Sequence, residues 1–165
     1  EINIGDWSSD VCSSDLFLDG NEPFLVHNAD ILSDINLAEL YRHHRESNAE
    51  ATLLVSQRQT SRYLLLDDAN RLHGWINKST GETKPEGFSF QERQYKEMAF
   101  GGIHVISPSL FRYMESRQWE GKFSIIPFYL SVCETACIQG YPLQDRRWFD
   151  IGKPETLAKA EEYYR

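Results

Sequence analysis

Short apolar runs bounded by polar clusters recur along the chain, and between them lie stretches with a three-to-four-residue apolar period. The run within "PFLVHNAD" (23–30) is compact and ends in polar residues, which predicts a buried strand whose C-terminal end meets solvent at His27 to Asp30. Leu37, Leu40, Tyr41 and His44 then fall at i, i+3, i+4 and i+7, and Asn36 with Glu39 suits a helix N-terminus. "EATLLVS" (50–56) predicts the next strand, so strand, helix, strand implies a βαβ unit and a parallel sheet. Two apolar runs flank Asp67-Asp68-Ala69-Asn70 in "RYLLLDDANRLHGWI" (62–76), the pattern of a hairpin.

Asn77 to Glu97 is a polar excursion carrying Gly81, Pro85 and Gly87, expected to form an ordered loop or lid. "MAFGGIHVIS" (98–107) returns as a buried strand. Its paired Gly101 and Gly102 predict a bulge, or close approach of another group to the backbone. Pro108 opens a short helix to about Met114, and 123–132 reads as another helix, with Pro127 tolerated only in its first turn. "ACIQGYPL" (136–143) and "RRWFDIG" (146–152) read as two last strands. Pro154 starts a closing helix with Glu155 near its positive end. The fold class expected is α/β, a mostly parallel mixed sheet flanked by helices.

One stretch does not share this patterning. "GDWSSDVCSSDL" (5–16) has four serines, three aspartates and no periodicity. Residues 6–16 back-translate to a string resembling a common short-read sequencing adapter, in frame to Leu16. Residues 1–16 are therefore read as a non-native segment and kept out of fold reasoning, leaving 17–165 as part of a single domain.

Composition narrows the classes. The 165 residues are 41% hydrophobic and 25% charged, an ordinary globular balance, and no apolar run approaches membrane-span length. Seventeen basic against 25 acidic residues, a formal charge of −8, argue against nucleic acid or an anionic membrane as partner. For a phosphorylated ligand, that acidity favours a bridging divalent cation. Cys133 and Cys137 are spaced C-x-x-x-C without the companions of a zinc site, and a reducing, cytoplasmic location is the simplest reading.

Two acids share one setting, since Asp30 and Asp150 each stand where an apolar strand gives way to a turn. Ligands of open α/β sheets bind at such strand ends, so both carboxylates could converge on one crevice and hold Mg2+, with room left for water and phosphate oxygens. The alternative is that each only caps its turn. His27 is read as a packing or hydrogen-bonding residue, and adjacent His43 and His44 on a helix do not share a face for a metal. Trp75, Trp119 and Trp148 are read as core or rim, and Arg146 and Arg147 as a charged strand start.

"FLVHNADIL", "FGGIHVISPSLF" and "WFDIGKPETLAKAEEYY", in that order, resemble the central and C-terminal motifs of sugar-1-phosphate nucleotidyltransferases. The similarity is greatest to mannose-1-phosphate guanylyltransferase-like and N-acetylmuramate-1-phosphate uridylyltransferase-like members. The resemblance implies a Rossmann-like nucleotidyltransferase fold and transfer of a nucleotidyl group from a nucleoside triphosphate to a sugar-1-phosphate, with pyrophosphate released. It implies that Asp30 and Asp150 bind the catalytic Mg2+, that Asn28, Gly101 and Gly102 belong to the sugar side, and that a lysine neutralises the sugar phosphate. The family's "E-K-P" motif is altered here. Lys78 in "GWINK" is the first choice by register, and Lys84 in "ETKP" the second.

No "G-x-G-T-R-L" loop or "T-G-G-G" stretch precedes these motifs. The expectation is an N-terminally truncated domain, inactive as written, with nucleotide base, sugar and oligomeric state undetermined. Two other classes compete. A nucleotide-sugar-dependent glycosyltransferase is disfavoured because Asp30 and Asp34 do not form a D-x-D motif, and a non-catalytic sugar-phosphate-binding module would tolerate loss of both aspartates.

Overall fold

A computed structural model describes residues 20–88, 94–114, 119, 123–144 and 146–163. The stretch 1–16, with Cys12, lies outside the described residues, as does part of the polar excursion at 89–93. The strands are β1 (Phe24–His27), β2 (Ile31–Ser33), β3 (Ala51–Ser56), β4 (Arg62–Leu66), β5 (Leu72–Asn77), β6 (Glu82–Lys84), β7 (Lys96–Ile106), β8 (Ile138–Pro142) and β9 (Trp148–Asp150). Helices α1 (Leu37–Glu46), α2 (Ile125–Val132) and α3 (Pro154–Tyr163) and a 3-10 turn at Pro108–Tyr113 complete them.

The main sheet runs β6-β5-β4-β7-β3-β8, and β1 also pairs with β7. β1 and β3 grip opposite edges of β7, both antiparallel to it, because Val105 pairs with Leu25 on one side and Thr52 on the other. The strand–helix–strand unit is therefore present, with β7 inserted between its two strands. Strand direction differs from expectation, since only β3 with β8 is parallel among the described pairs. Local patterning marks a strand as buried but carries no information on its neighbour's direction.

Alternating side chains of the central strands feed two cores. Leu53 and Val55 of β3 pack with Leu64, Leu66, Phe128 and Tyr129 on one face, and Leu54, with Ile103 and Val105 of β7, packs with Leu40 on the other. This explains why "ATLLVS" is buried along nearly its whole length: helices cover both faces of its sheet. Asn36 caps α1, its Oδ1 accepting from the Glu39 N–H at 3.1 Å. Pro127 sits in the first turn of α2, where no intrahelical bond is lost. Among the described residues, no helix is long and apolar enough to cross a membrane.

The first strand ends at His27, within the stretch where its polar end was expected, and the chain turns before the separate strand β2. One predicted element is corrected. The polar excursion is in part a hairpin. β5 runs on to Asn77, turns through Gly81 at φ 74° and returns as β6, with Trp75 opposite Lys84.

Candidate functional site

β2 and β9 form a small antiparallel ladder apart from the main sheet, with Ile31 opposite Asp150 and Ser33 opposite Trp148. The Ile151 N–H donates to the Asp30 carbonyl at 2.8 Å. At the other end the Arg147 N–H donates to Asp34 Oδ1 and Ser33 Oγ donates to the Arg147 carbonyl, each at 2.7 Å. Asp30 and Asp150, 120 positions apart in sequence, are thus held on adjoining chains. A Cβ placed on Gly152 would lie 3.2 Å from Asp150 Oδ1 and 3.3 Å from Asp30 Oδ2. Both carboxylates therefore face one small space that glycine leaves open, and both residues are exposed. The Gly152 N–H donates to Asp150 Oδ1 at 3.1 Å.

The expected bulge sits directly behind this pair. Leu53 pairs with His104 and Val55 with Phe100, so β7 carries two more residues than β3 over that interval. Gly102 takes φ 72°, and a Cβ there would lie 2.8 Å from Ile31 Cγ1 and 3.0 Å from Asn28 Nδ2. The left-handed backbone, with Ile31 packed close against it, favours glycine here. The Asn28 N–H donates to the Gly102 carbonyl at 2.9 Å, and Trp148 Nε1 to the Gly101 carbonyl at 2.7 Å. Both carbonyls thus accept a hydrogen bond within the protein, and Asn28 and Ile31 pack close against Gly102.

A cavity of about 580 Å³ lies alongside, lined among others by Arg58, Arg62, Trp75, Lys84 and Phe100. Lys84 Nζ is 5.4 Å from the Trp75 ring centroid and 3.2 Å from Glu82 Oε1. Lys78, the first choice by register, is instead paired with Glu97 at 2.5 Å and is not part of the cavity wall. The hairpin turn carries it away, and that turn was hidden inside what read as a loop.

Arg58, which the sequence did not single out, joins cavity and carboxylates. It lines the cavity, its Nη2 donates to the Phe100 carbonyl at 3.1 Å, and its guanidinium carbon stands 4.4 Å from the Trp148 ring centroid. Partial burial lowers its pKa from the usual arginine value, while the fields of Asp150 and Tyr63 oppose that. A single arginine in "SQRQTSR" carries no signal of this placement.

The remaining candidates are structural in their contacts. His27 Nδ1 meets the Asn28 carbonyl at 2.8 Å. His44 is buried, bridging Thr52 Oγ1 at 2.8 Å and Ser107 Oγ at 2.9 Å, while His43 meets Gln139. Trp119 packs edge-on to Phe128. The Arg147 guanidinium stacks on Tyr163 at 3.4 Å. Among the described residues, no group of three or more His, Cys, Asp or Glu gathers as a metal site. The donor set available is the carboxylate pair.

A mixed sheet between helices, with an acidic pair set beside a cationic, aromatic cavity, defines a Rossmann-like α/β protein with a built polar site. The chain belongs to the nucleotidyl transferase family, whose model matches residues 8–165. It is 25% identical over 147 residues to the mannose-1-phosphate guanylyltransferase catalytic subunit beta of Danio rerio, covering 87% of this chain and 36% of that protein. It is 28% identical over 154 residues to mannose-1-phosphate guanylyltransferase 1 of Arabidopsis thaliana, covering 91% and 38%. The chain thus spans well under half the length of these relatives. In fold it is similar to the inositol-1-phosphate CTP transferase of T. maritima, with TM-score 0.61 at 18% identity over 91% of this chain and 60% of that one. It is also similar to the UDP-glucose pyrophosphorylase of Acinetobacter baumannii, with TM-score 0.66 at 16% identity over 91% and 53%.

Proposed function

We propose that this chain supplies the sugar-phosphate and metal side of a sugar-1-phosphate nucleotidyltransferase. The observation that carries the reading is the meeting of Asp30 and Asp150 around the gap at Gly152, beside the cavity that Arg58 lines. Two exposed carboxylates with open space between them suit a cation that keeps several waters and binds through one or two protein carboxylates plus substrate phosphates, which is the habit of Mg2+. When bound there, Mg2+ would neutralise phosphate charge and align the reacting groups.

In the reaction proposed, a sugar-1-phosphate oxygen attacks the α-phosphorus of a nucleoside triphosphate, a new P–O bond forms, and pyrophosphate leaves with the electrons of the broken bond. This chain's residues would act by holding and by charge. Asp30 and Asp150 hold the cation, with Asp150 oriented by the Gly152 N–H. Trp75 and Phe100 offer flat surfaces to a sugar ring, and Lys84 on the cavity wall, in preference to Lys78, adds positive charge. Asn28, Gly101 and Gly102 fix the strand geometry behind the carboxylates. Mannose-1-phosphate is the first sugar phosphate to test, because the curated relatives carry that name.

No glycine-rich triphosphate loop occurs in the 165 residues, and the chain as written is expected to bind sugar phosphate and cation without catalysing transfer. Titration of the chain with mannose-1-phosphate in the presence of Mg2+, followed by calorimetry, tests the reading. Binding that is lost in Asp30→Asn and Asp150→Asn supports it. Absence of binding to any sugar-1-phosphate contradicts it.

A further inference from the structure

We propose that Arg58 is the residue that grips the phosphate of the bound sugar phosphate and delivers it from the cavity to the carboxylate pair. The inference rests on the sugar-1-phosphate reading above. Arg58 follows β3 on the 57–61 loop, outside all three sequence motifs that carry the family resemblance.

The argument is one of placement. A ligand whose ring occupies the cavity and whose phosphate reaches a cation at Asp30 and Asp150 must pass its charge through the space between them. Arg58 is the side chain that joins both regions: it lines the cavity, and it lies over Trp148 on the strand that carries Asp150. Its guanidinium is held rather than loose, set over the Trp148 ring and anchored through Nη2 to the Phe100 carbonyl. Trp148 is itself pinned by its indole N–H to Gly101 and lies two residues from Asp150 on β9. An arginine carries five N–H donors in a fixed fork, and the Phe100 carbonyl takes one of them. Planar, pre-ordered and weakly hydrated, that fork suits bidentate binding of a phosphate better than the flexible ammonium of Lys84.

The two other cationic residues named on the cavity wall stand differently. Lys84 is shared between Glu82 and the Trp75 face, which places it over the ring-binding part of the cavity. Arg62 starts β4 and pairs with Asn77 at the β5 end, in the strand ladder next to the hairpin. Both of these contacts lie at the hairpin side of the cavity, whereas Arg58 lies over Trp148 of the carboxylate ladder.

The test measures binding of mannose-1-phosphate, unphosphorylated mannose, GTP and Mn2+ separately to the wild-type chain, Arg58→Gln and Arg58→Lys. Arg58→Gln is expected to weaken mannose-1-phosphate about 10- to 100-fold, as for loss of a charge-assisted bidentate contact, and Arg58→Lys to recover part of that. Mn2+ affinity should hold or rise slightly, because a positive charge beside Asp150 is gone. Unchanged circular dichroism and melting of the exposed-site variants control for folding. Equal mannose-1-phosphate affinity in wild type and Arg58→Gln overturns the role of Arg58 while leaving the sugar-phosphate reading intact. Weakening confined to GTP overturns it in favour of a nucleotide contact. A wild-type chain that binds Mn2+ but no sugar phosphate overturns the underlying reading and this role with it.

Discussion

Gly102 and Gly152 matter for what they lack. At Gly102 the left-handed backbone and the 2.8 Å approach of Ile31 leave alanine both strained and crowded. Gly102→Ala should cost about 1–3 kcal/mol in urea unfolding. At Gly152 the crowding atoms are the two carboxylate oxygens themselves, and no positive φ is involved. Gly152→Ala should therefore lower Mn2+ affinity about tenfold, with stability changed by less than about 1 kcal/mol, a split that calorimetry and urea titration together resolve. At this scale Asp30 and Asp150 were legible because an acid closing an apolar run advertises itself. The placement of Arg58 and Lys84, and not Lys78, on the cavity wall was not, because it depends on where a loop and a hairpin turn come to rest in space.

The elements around the site are tied together by two buried histidines. His44 of α1 reaches Thr52 of β3 and Ser107 at the end of β7, and His104 of β7 meets Tyr129 of α2 at 2.6 Å. Burial lowers His104 to about 3 and, with the neighbouring His43 adding to it, lowers His44 to about 4, against an ordinary 6.5. A histidine depressed in the fold is protonated first in the unfolded chain. Its stabilising contribution is complete above pH 6.5 and is lost as pH falls toward the folded values. Unfolding free energy should fall between pH 6.5 and 5, approaching about 1.4 kcal/mol per pH unit for each histidine. A flat profile over that window would contradict it, and His44→Gln should lessen the slope. Apolar runs exposed β3, β4, β5, β7 and β8 to sequence reading, whereas β2, with three residues next to a turn, fell below what periodicity can register. The partners of β7 were equally invisible, since they are chosen by contacts between residues far apart in the chain.

At the scale of the molecule, the three-layer arrangement follows from strands buried on both faces, and the family match over residues 8–165 takes in all three motifs. The chain spans 36% of the Danio rerio relative it matches, so the transfer reaction remains our proposal for the domain to which these residues belong. Incubation with mannose-1-phosphate, GTP and Mg2+ is expected to release no pyrophosphate, and release by this chain would refute the expected inactivity. The central claim is that Asp30 and Asp150 jointly hold a divalent cation at the cavity's edge. Electron paramagnetic resonance titration with Mn2+ tests it most directly. The account predicts binding to the wild-type chain that weakens about tenfold or more in both Asp30→Asn and Asp150→Asn, with folding intact. Mn2+ binding equal to wild type in either variant would contradict it.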